Sequence, residues 1–196
     1  MGLTIHYSGK LKNASELKSL IDDLKDVAKA ENWDYFVFEE QFKNDAFSEI
    51  IDMENLFGMM ISPPKCDPFC ISFLSNGRMS GIINFNVMQN EGKINEDLIY
   101  AVFTKTQYSG YENHKKLILL LDYISKKYLE EFECIDEGYY WETRDEELLK
   151  STFENYTNLI DSFTSSIEMI PMNEGENLED YLVRMAEITN KINRNE

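Results

Sequence analysis

Hydrophobic and polar positions alternate at the start of the chain. Leu3, Ile5 and Tyr7 are separated by Thr4, His6 and Ser8, the period-two pattern of a half-buried strand, and His6 falls on its more polar face. Asn13 and Glu16 stand at capping-box spacing, and Leu17, Leu20, Ile21, Leu24, Val27 and Ala28 follow at helical intervals, which predicts a helix over 14–31. Trp33 to Phe38 is aromatic and β-rich, so the opening unit reads strand, helix, strand. Residues 41–55 fit either a short helix or an irregular acidic excursion. Leu56 to Ile61 predicts a strand, and Pro63, Pro64 and Pro68 then interrupt regular structure by fixing φ and removing donors. Phe69 to Leu74 resumes the β pattern. Asn76-Gly77 suits a type I′ hairpin turn, with a second arm expected from Met79 to Val87, a loop over Gln89 to Lys93, and a further strand from Leu98 to Phe103.

Ser109 and Glu112 repeat the capping-box spacing ahead of Leu117, Leu120, Leu121, Ile124 and Tyr128, the buried stripe of a second long helix. The run Leu117 to Leu121 is apolar all round, which suggests burial on more than one side. Phe132 to Ile135 fits a short strand. Thr143 and Glu146 form a third capping-box pair opening a helix striped by Leu149, Phe153, Tyr156, Ile160 and Phe163; a tail helix carries Leu178, Tyr181, Leu182, Met185, Ile188 and Ile192 after a break at Pro171 and Gly175. The expected architecture is α+β: an N-terminal strand-helix-strand unit and a mostly antiparallel sheet with packed helices, followed by two C-terminal helices. One domain is expected over 1–170, with 171–196 a helical appendage packed on it or on a partner subunit.

Nineteen Lys and Arg against thirty-six Asp and Glu give a formal charge of −17 over 196 residues. That charge repels nucleic-acid phosphate and anionic lipid, so neither is expected as a partner, whereas a basic surface or divalent cations would be attracted. It also serves solubility. Cys66, Cys70 and Cys134 are an odd number and do not read as a disulfide framework. No leader pattern opens the chain and no apolar run approaches a membrane span, so the cytoplasm is the expected location.

The Cys66 and Cys70 pair lacks the second pair of ligands that a zinc site needs. Asp136, Glu137 and Glu142 with His114 offer oxygen and imidazole donors but no metal-motif spacing, and no cofactor is implied. Lys105 and Gln107 lie in a strand-to-helix turn where backbone donors attract anions, yet the glycine pattern of a phosphate loop is missing. A nucleophile-base pair would have to use His6 or His114, as in His114 with Cys134 or Ser109, without an elbow or oxyanion turn to support it. Tyr139, Tyr140 and Trp141 are rigid amphipathic rings of the kind found at recognition surfaces and at buried corners alike.

Lys105-Thr106-Gln107-Tyr108-Ser109-Gly110, His114 and Asp136-Glu137-Gly138-Tyr139-Tyr140-Trp141-Glu142-Thr143, together with Ile5-His6-Tyr7, resemble an uncharacterised bacterial family with Lys-Thr-Gln and Asp-Glu-Gly-x-Tyr-Trp-Glu-Thr motifs. The resemblance covers residues 3 to 146 and implies a shared domain with no assigned activity. The sequence thus favours a non-catalytic binding or interaction module. Its ligand, a basic protein surface or a small polar molecule, is expected near Lys105, Gln107, His114, Glu137, Trp141 and Glu142. The alternatives are a hydrolase using His114 and the neighbouring acids, with or without a metal, and a structural homodimer built on the C-terminal helices.

Overall fold

A computed structural model describes residues 3–92 and 95–193, with backbone alone at 96–97, 166–168 and 189–193. Lys93 and the Ile192 side chain therefore lie outside the described residues. The chain divides into two compact units, Met1–Phe153 and Glu154–Glu196. The first unit contains two three-stranded antiparallel sheets. Strand β1 (Thr4–Leu11) leads into a single 3-10 turn and helix α1 (Leu17–Glu31), then β2 (Asp34–Val37), β3 (Phe57–Ser62) and β4 (Phe69–Phe73). Helices α2 (Ile82–Glu91) and α3 (Glu96–Ile99) precede β5 (Val102–Lys105), α4 (Tyr111–Tyr128), β6 (Leu129–Asp136) and α5 (Tyr140–Thr143). Helix α6 (Glu146–Met169) crosses into the second unit, which ends with α7 (Leu178–Asn193).

The first sheet has the order β5-β1-β6 and the second β2-β3-β4. Ile5, Tyr7 and Leu11 of β1 point into the core, as their alternation requires, and His6 is exposed. The predicted stripe of α1 is buried at Leu17, Leu20, Ile21, Leu24 and Ala28, and the helix lies against β2 and β3. Helix α4 buries Leu117, Leu120, Leu121, Ile124 and Tyr128 and lies against β6. Its apolar run is not enclosed all round, because Leu119 remains 46% exposed. The 41–55 segment takes the irregular form, with one 3-10 turn at Lys43–Asp45.

Several local expectations give way. Asn76-Gly77 does turn the chain, but only Gly77 has positive φ, +81°. Gly77 N–H donates to the Leu74 carbonyl at 2.9 Å and Leu74 N–H to the Arg78 carbonyl at 2.9 Å, the bonding of a three-residue loop closed by a left-handed glycine, not a type I′ turn. A Cβ at Gly77 would stand 2.6 Å from Phe47 Cε1. The second arm pairs with β4 only at Met79, while Met79 N–H bonds the Gly9 carbonyl and Arg78 bridges Lys10 of β1. Residues 82–91 are helical, not extended. Phe85 and Met88 stand one turn apart and pack with Leu56, Leu74 and Ile99, so a helical packing face outweighs the β-branched Ile82, Ile83 and Val87. Leu98 and Ile99 likewise close a helical turn whose carbonyl ends, Leu98 and Ala101, accept bonds from Asn84 Nδ2 at 2.8 Å each, and the strand begins at Val102.

None of the three capping boxes forms. Asn13 gives no side-chain cap, Gly110 occupies the N-cap of α4, and the Asp145 carboxylate caps α6 by accepting from Glu147 N at 2.9 Å and Leu148 N at 3.1 Å. A charged oxygen one residue before the helix satisfies two terminal donors better than the Thr143 hydroxyl two residues further back. In the second unit, considered alone, Asn177 caps α7 by accepting from Asp180 N at 2.9 Å. Tyr181 and Met185 are buried there, whereas Leu159, Phe163, Leu178 and Leu182 are exposed.

Tyr7 pins the two sheets together. Its hydroxyl donates to the Cys70 carbonyl at 3.1 Å and accepts from Cys70 N at 3.1 Å, with Thr104 Oγ1 3.2 Å away. Burial pushes its phenol well above the ordinary tyrosine value, so it stays protonated. Tyr7→Phe strands both polar groups of Cys70 away from water. A loss of about 1–3 kcal/mol in chemical denaturation is expected; an unchanged midpoint would show that the pin carries no energy.

Candidate functional site

The chemistry-rich Asp136–Thr143 stretch is a corner between β6 and α5, organised around one buried carboxylate. Asp136 Oδ1 lies 2.8 Å from His114 Nε2 and accepts from Gly138 N at 2.7 Å; Oδ2 accepts from Tyr140 N at 2.8 Å and Trp141 N at 2.9 Å. Thus Asp136 caps the α5 turn with three backbone donors and takes a fourth bond from the imidazole. Burial alone would raise its pKa, but the His114 hydrogen bond and charge, with the Trp141 and Gly138 amides, outweigh burial and hold it below the ordinary carboxylate value. On the far side of the ring, His114 Nδ1 is 2.7 Å from Thr106 Oγ1, which also reaches the Leu3 carbonyl at 3.1 Å.

Hydroxyl, imidazole and carboxylate therefore stand in the order of a nucleophilic relay, but with a different consequence. Thr106 and His114 are 0% exposed and Asp136 3%, so a substrate carbonyl has no path to the hydroxyl while the corner is closed. The Phe153 ring packs edge-on against His114 at 5.4 Å. The relay fastens β5, α4 and β6 to one another.

The remaining residues of the block have visible duties. A Cβ on Gly138 would come within 2.7 Å of His114 Nε2 and 2.9 Å of Leu149 Cδ1, so the residue is glycine because the histidine bond passes over it. Tyr139 takes the left-handed conformation at φ +62°, and Tyr140 turns inward. The Trp141 ring packs 5.6 Å from Phe132, with the Arg144 guanidinium 4.9 Å from its centroid, and Arg144 also pairs with Asp122 at 2.8 Å. Thr143 Oγ1 donates to the Tyr139 carbonyl at 2.6 Å and accepts from Asp145 N at 3.1 Å.

The six expected ligand-binding residues do not converge. Lys105 and Glu137 lie on either side of Thr4 across the first sheet: Lys105 is in register with Thr4, and Glu137 accepts from Thr4 N at 2.9 Å while its other oxygen is 3.9 Å from His6 Nε2. His114 is on the opposite, buried side. Gln107 follows β5 with Oε1 buried and unbonded, Trp141 packs tilted against Phe132 of β6, and Glu142 is exposed. Among the described residues no three His, Cys, Asp or Glu side chains gather as an ion requires. Cys66, Cys70 and Cys134 are free thiols; burial pushes Cys66 and Cys134 up to about 12, so neither is a thiolate near neutral pH.

The outward face of β5-β1-β6 displays residues that motif reading passes over. Register aligns Phe103, His6 and Ile135 in one row across the strands; Phe103 is 40% exposed and Ile135 67%. Beside them runs a groove of about 150 Å³ walled by His6, Ser8, Ala101, Glu133, Cys134 and Ile135. The alternation around His6 marks this face in the sequence.

Two measurements probe the corner. His114→Ala leaves a buried carboxylate without its imidazole, and an unfolding free energy lower by about 3–5 kcal/mol is expected; a loss below ~1 kcal/mol on this scale would contradict the role given to the pair. The Asp136 value is lowered in the fold, so its stabilisation is fully present above the unfolded value of about 3.9 and is lost as pH falls through the lower folded value. Wild type should lose stability below about pH 4 more steeply than Asp136→Asn; parallel pH curves would show that this carboxylate is not the linked group. Gly138→Ala forces apart the same contact and should lower the melting temperature while leaving exposed-face chemistry intact.

Comparison with protein-family models finds no match, and neither curated proteins nor solved structures yield one.

Proposed function

We propose that this chain is a non-catalytic binding module that offers the open face of β5-β1-β6 to a protein partner. The observation that carries the reading is the row Phe103–His6–Ile135, two exposed apolar side chains flanking an exposed imidazole on the central strand of a three-stranded sheet. Sheet faces of this composition gain by being covered, since burying one large aliphatic side chain is worth about 1.5–3 kcal/mol. Lys105 and Glu137 at one end of the face, and Glu133 along it, supply polar groups of both signs to orient what binds. Among the described residues no helix is long and apolar enough to cross a membrane, and the net charge of −17 disfavours phosphate-bearing partners.

A hydrolase remains the competing reading, supported by the Thr106–His114–Asp136 order. It requires the corner to open before the hydroxyl meets a substrate.

The two readings separate in one experiment. The tagged full-length chain is used to recover partners from a lysate of its native cells, alongside Ile135→Asp and a control, Ile50→Asp, at a site 81% exposed in the irregular segment. Recovery of the same partners by wild type and Ile50→Asp, with loss on Ile135→Asp, is expected. Unchanged recovery with Ile135→Asp would overturn the assignment of this face. Turnover of ester or phosphoester substrates that disappears in Thr106→Val would establish the hydrolase instead.

A further inference from the structure

Three recesses in the first unit share walls. One of about 380 Å³ lies between β2, the 54–56 segment and α2, with Phe36, Phe38, Leu56 and Phe85 as its apolar wall and Glu39 and Glu54 among its polar groups. A second is walled by Asp67, Pro68, Cys70, Ile82, Ile83 and Phe103. The third is the groove beside His6 and Ile135. The first two share Ile82, the last two share Ala101, and the Phe103 and His6 rings stand 6.2 Å apart. Register puts Phe36, Met60 and Cys70 in one row across the second sheet, so the strip runs from an exposed aromatic at one end to an exposed isoleucine at the other. Phe36 is 54% exposed and Ile83 58%.

The charged groups that wall these recesses are all carboxylates, with Lys105 standing beyond them at one end of the first sheet. Glu39, Glu54, Asp67 and Glu133 are exposed members of their walls, and no Lys or Arg lines any of the three recesses. Some surface carboxylates elsewhere are paired within the chain, as in Lys25–Glu40 at 2.7 Å, Lys127–Asp23 at 2.8 Å and Arg144–Asp122 at 2.8 Å. Among the described residues no such ion pair reaches the four acids of the strip.

We infer that these recesses form one track for an extended segment of a partner protein in which lysine or arginine residues alternate with apolar ones. The inference rests on the interaction reading above and names the partner's chemistry. A lysine or arginine stem can lie along Phe36 and Phe38 with its cation between Glu39 and Glu54, gaining from apolar contact, ring quadrupole and charge together. The apolar neighbours of that residue cover Ile83, Phe103 and Ile135. A second copy of this chain is the wrong occupant, because it brings the same acids and a net charge of −17 to the contact.

The test uses the full chain and a fluorescent peptide of about twelve residues alternating lysine with leucine or phenylalanine, which spans ~40 Å when extended. Two counterparts carry glutamate for lysine or serine for the apolar residues, and spermine serves as a free polycation. At physiological salt the lysine-apolar peptide should bind at least tenfold tighter than either counterpart. Glu54→Lys and Phe36→Ser should each weaken it at least tenfold. Asp161→Lys, which makes the same charge change at an exposed position of α6, should alter binding less than twofold. Circular dichroism confirms that the variants fold. Equal losses for Glu54→Lys and Asp161→Lys, equal binding of the serine peptide, or full displacement by spermine at matched charge would each overturn the track in favour of bulk attraction. If the lysate partner is lost on Ile135→Asp but kept on both Glu54→Lys and Phe36→Ser, the sheet face stands and the track fails. If all three variants keep it, both fail.

Discussion

The Asp136 carboxylate is the constraint around which the first unit closes. A buried negative charge is costly unless every lone pair finds a donor, and here four donors come from three places: the α4 imidazole, the tight turn at Gly138 and the first amides of α5. Each donor fixes one element. The α4 imidazole in turn reaches Thr106 at the end of β5, and both outer strands of the first sheet are thereby held at the same end. The sheet's exposed face can mix polar and apolar side chains because its geometry is set from behind.

The elements legible in the sequence are those in which one periodicity prevails. Ile5 and Tyr7 against His6, and the stripes of α1 and α4, each read one way and each packs that way. The proline-rich break after β3 is equally direct. Residues 82–91 failed because two signals conflict within them: Ile82, Ile83 and Val87 favour extension, while Phe85 and Met88 match a helix only once Leu56, Leu74 and Ile99 are there to receive them. Leu56 comes from a distant position, so no local window contains the whole set of deciding contacts. The capping boxes failed for a nearby reason, since residues beside the expected ones, Gly110 and Asp145, met the backbone's needs first.

The site was legible in part. Crowded polar and aromatic residues correctly located a corner, yet crowding does not reveal direction. His114 and Asp136 face inward, while Glu137, the very next residue, folds back over the opposite face to cap Thr4. Adjacent residues in a strand end diverge by rule, so a motif that straddles such an end divides its chemistry between core and surface. Thr106 stands in the Lys-Thr-Gln run without a role of its own, because a single threonine carries no pattern until the fold sets it beside the histidine.

The apolar row on the open face ends at Ile135 on β6, an unpaired edge strand of its sheet. That edge is poorly suited to recruit another strand. Its pairing with β1 slips between Ser8 and Lys10, Glu131 takes φ +51°, and Glu130, Glu131 and Glu133 stand along it. A bulged, acidic border discourages the stacking of chain upon chain that would otherwise lead to fibres. The exposed apolar row can therefore stand on this sheet without inviting polymerisation through the β6 edge.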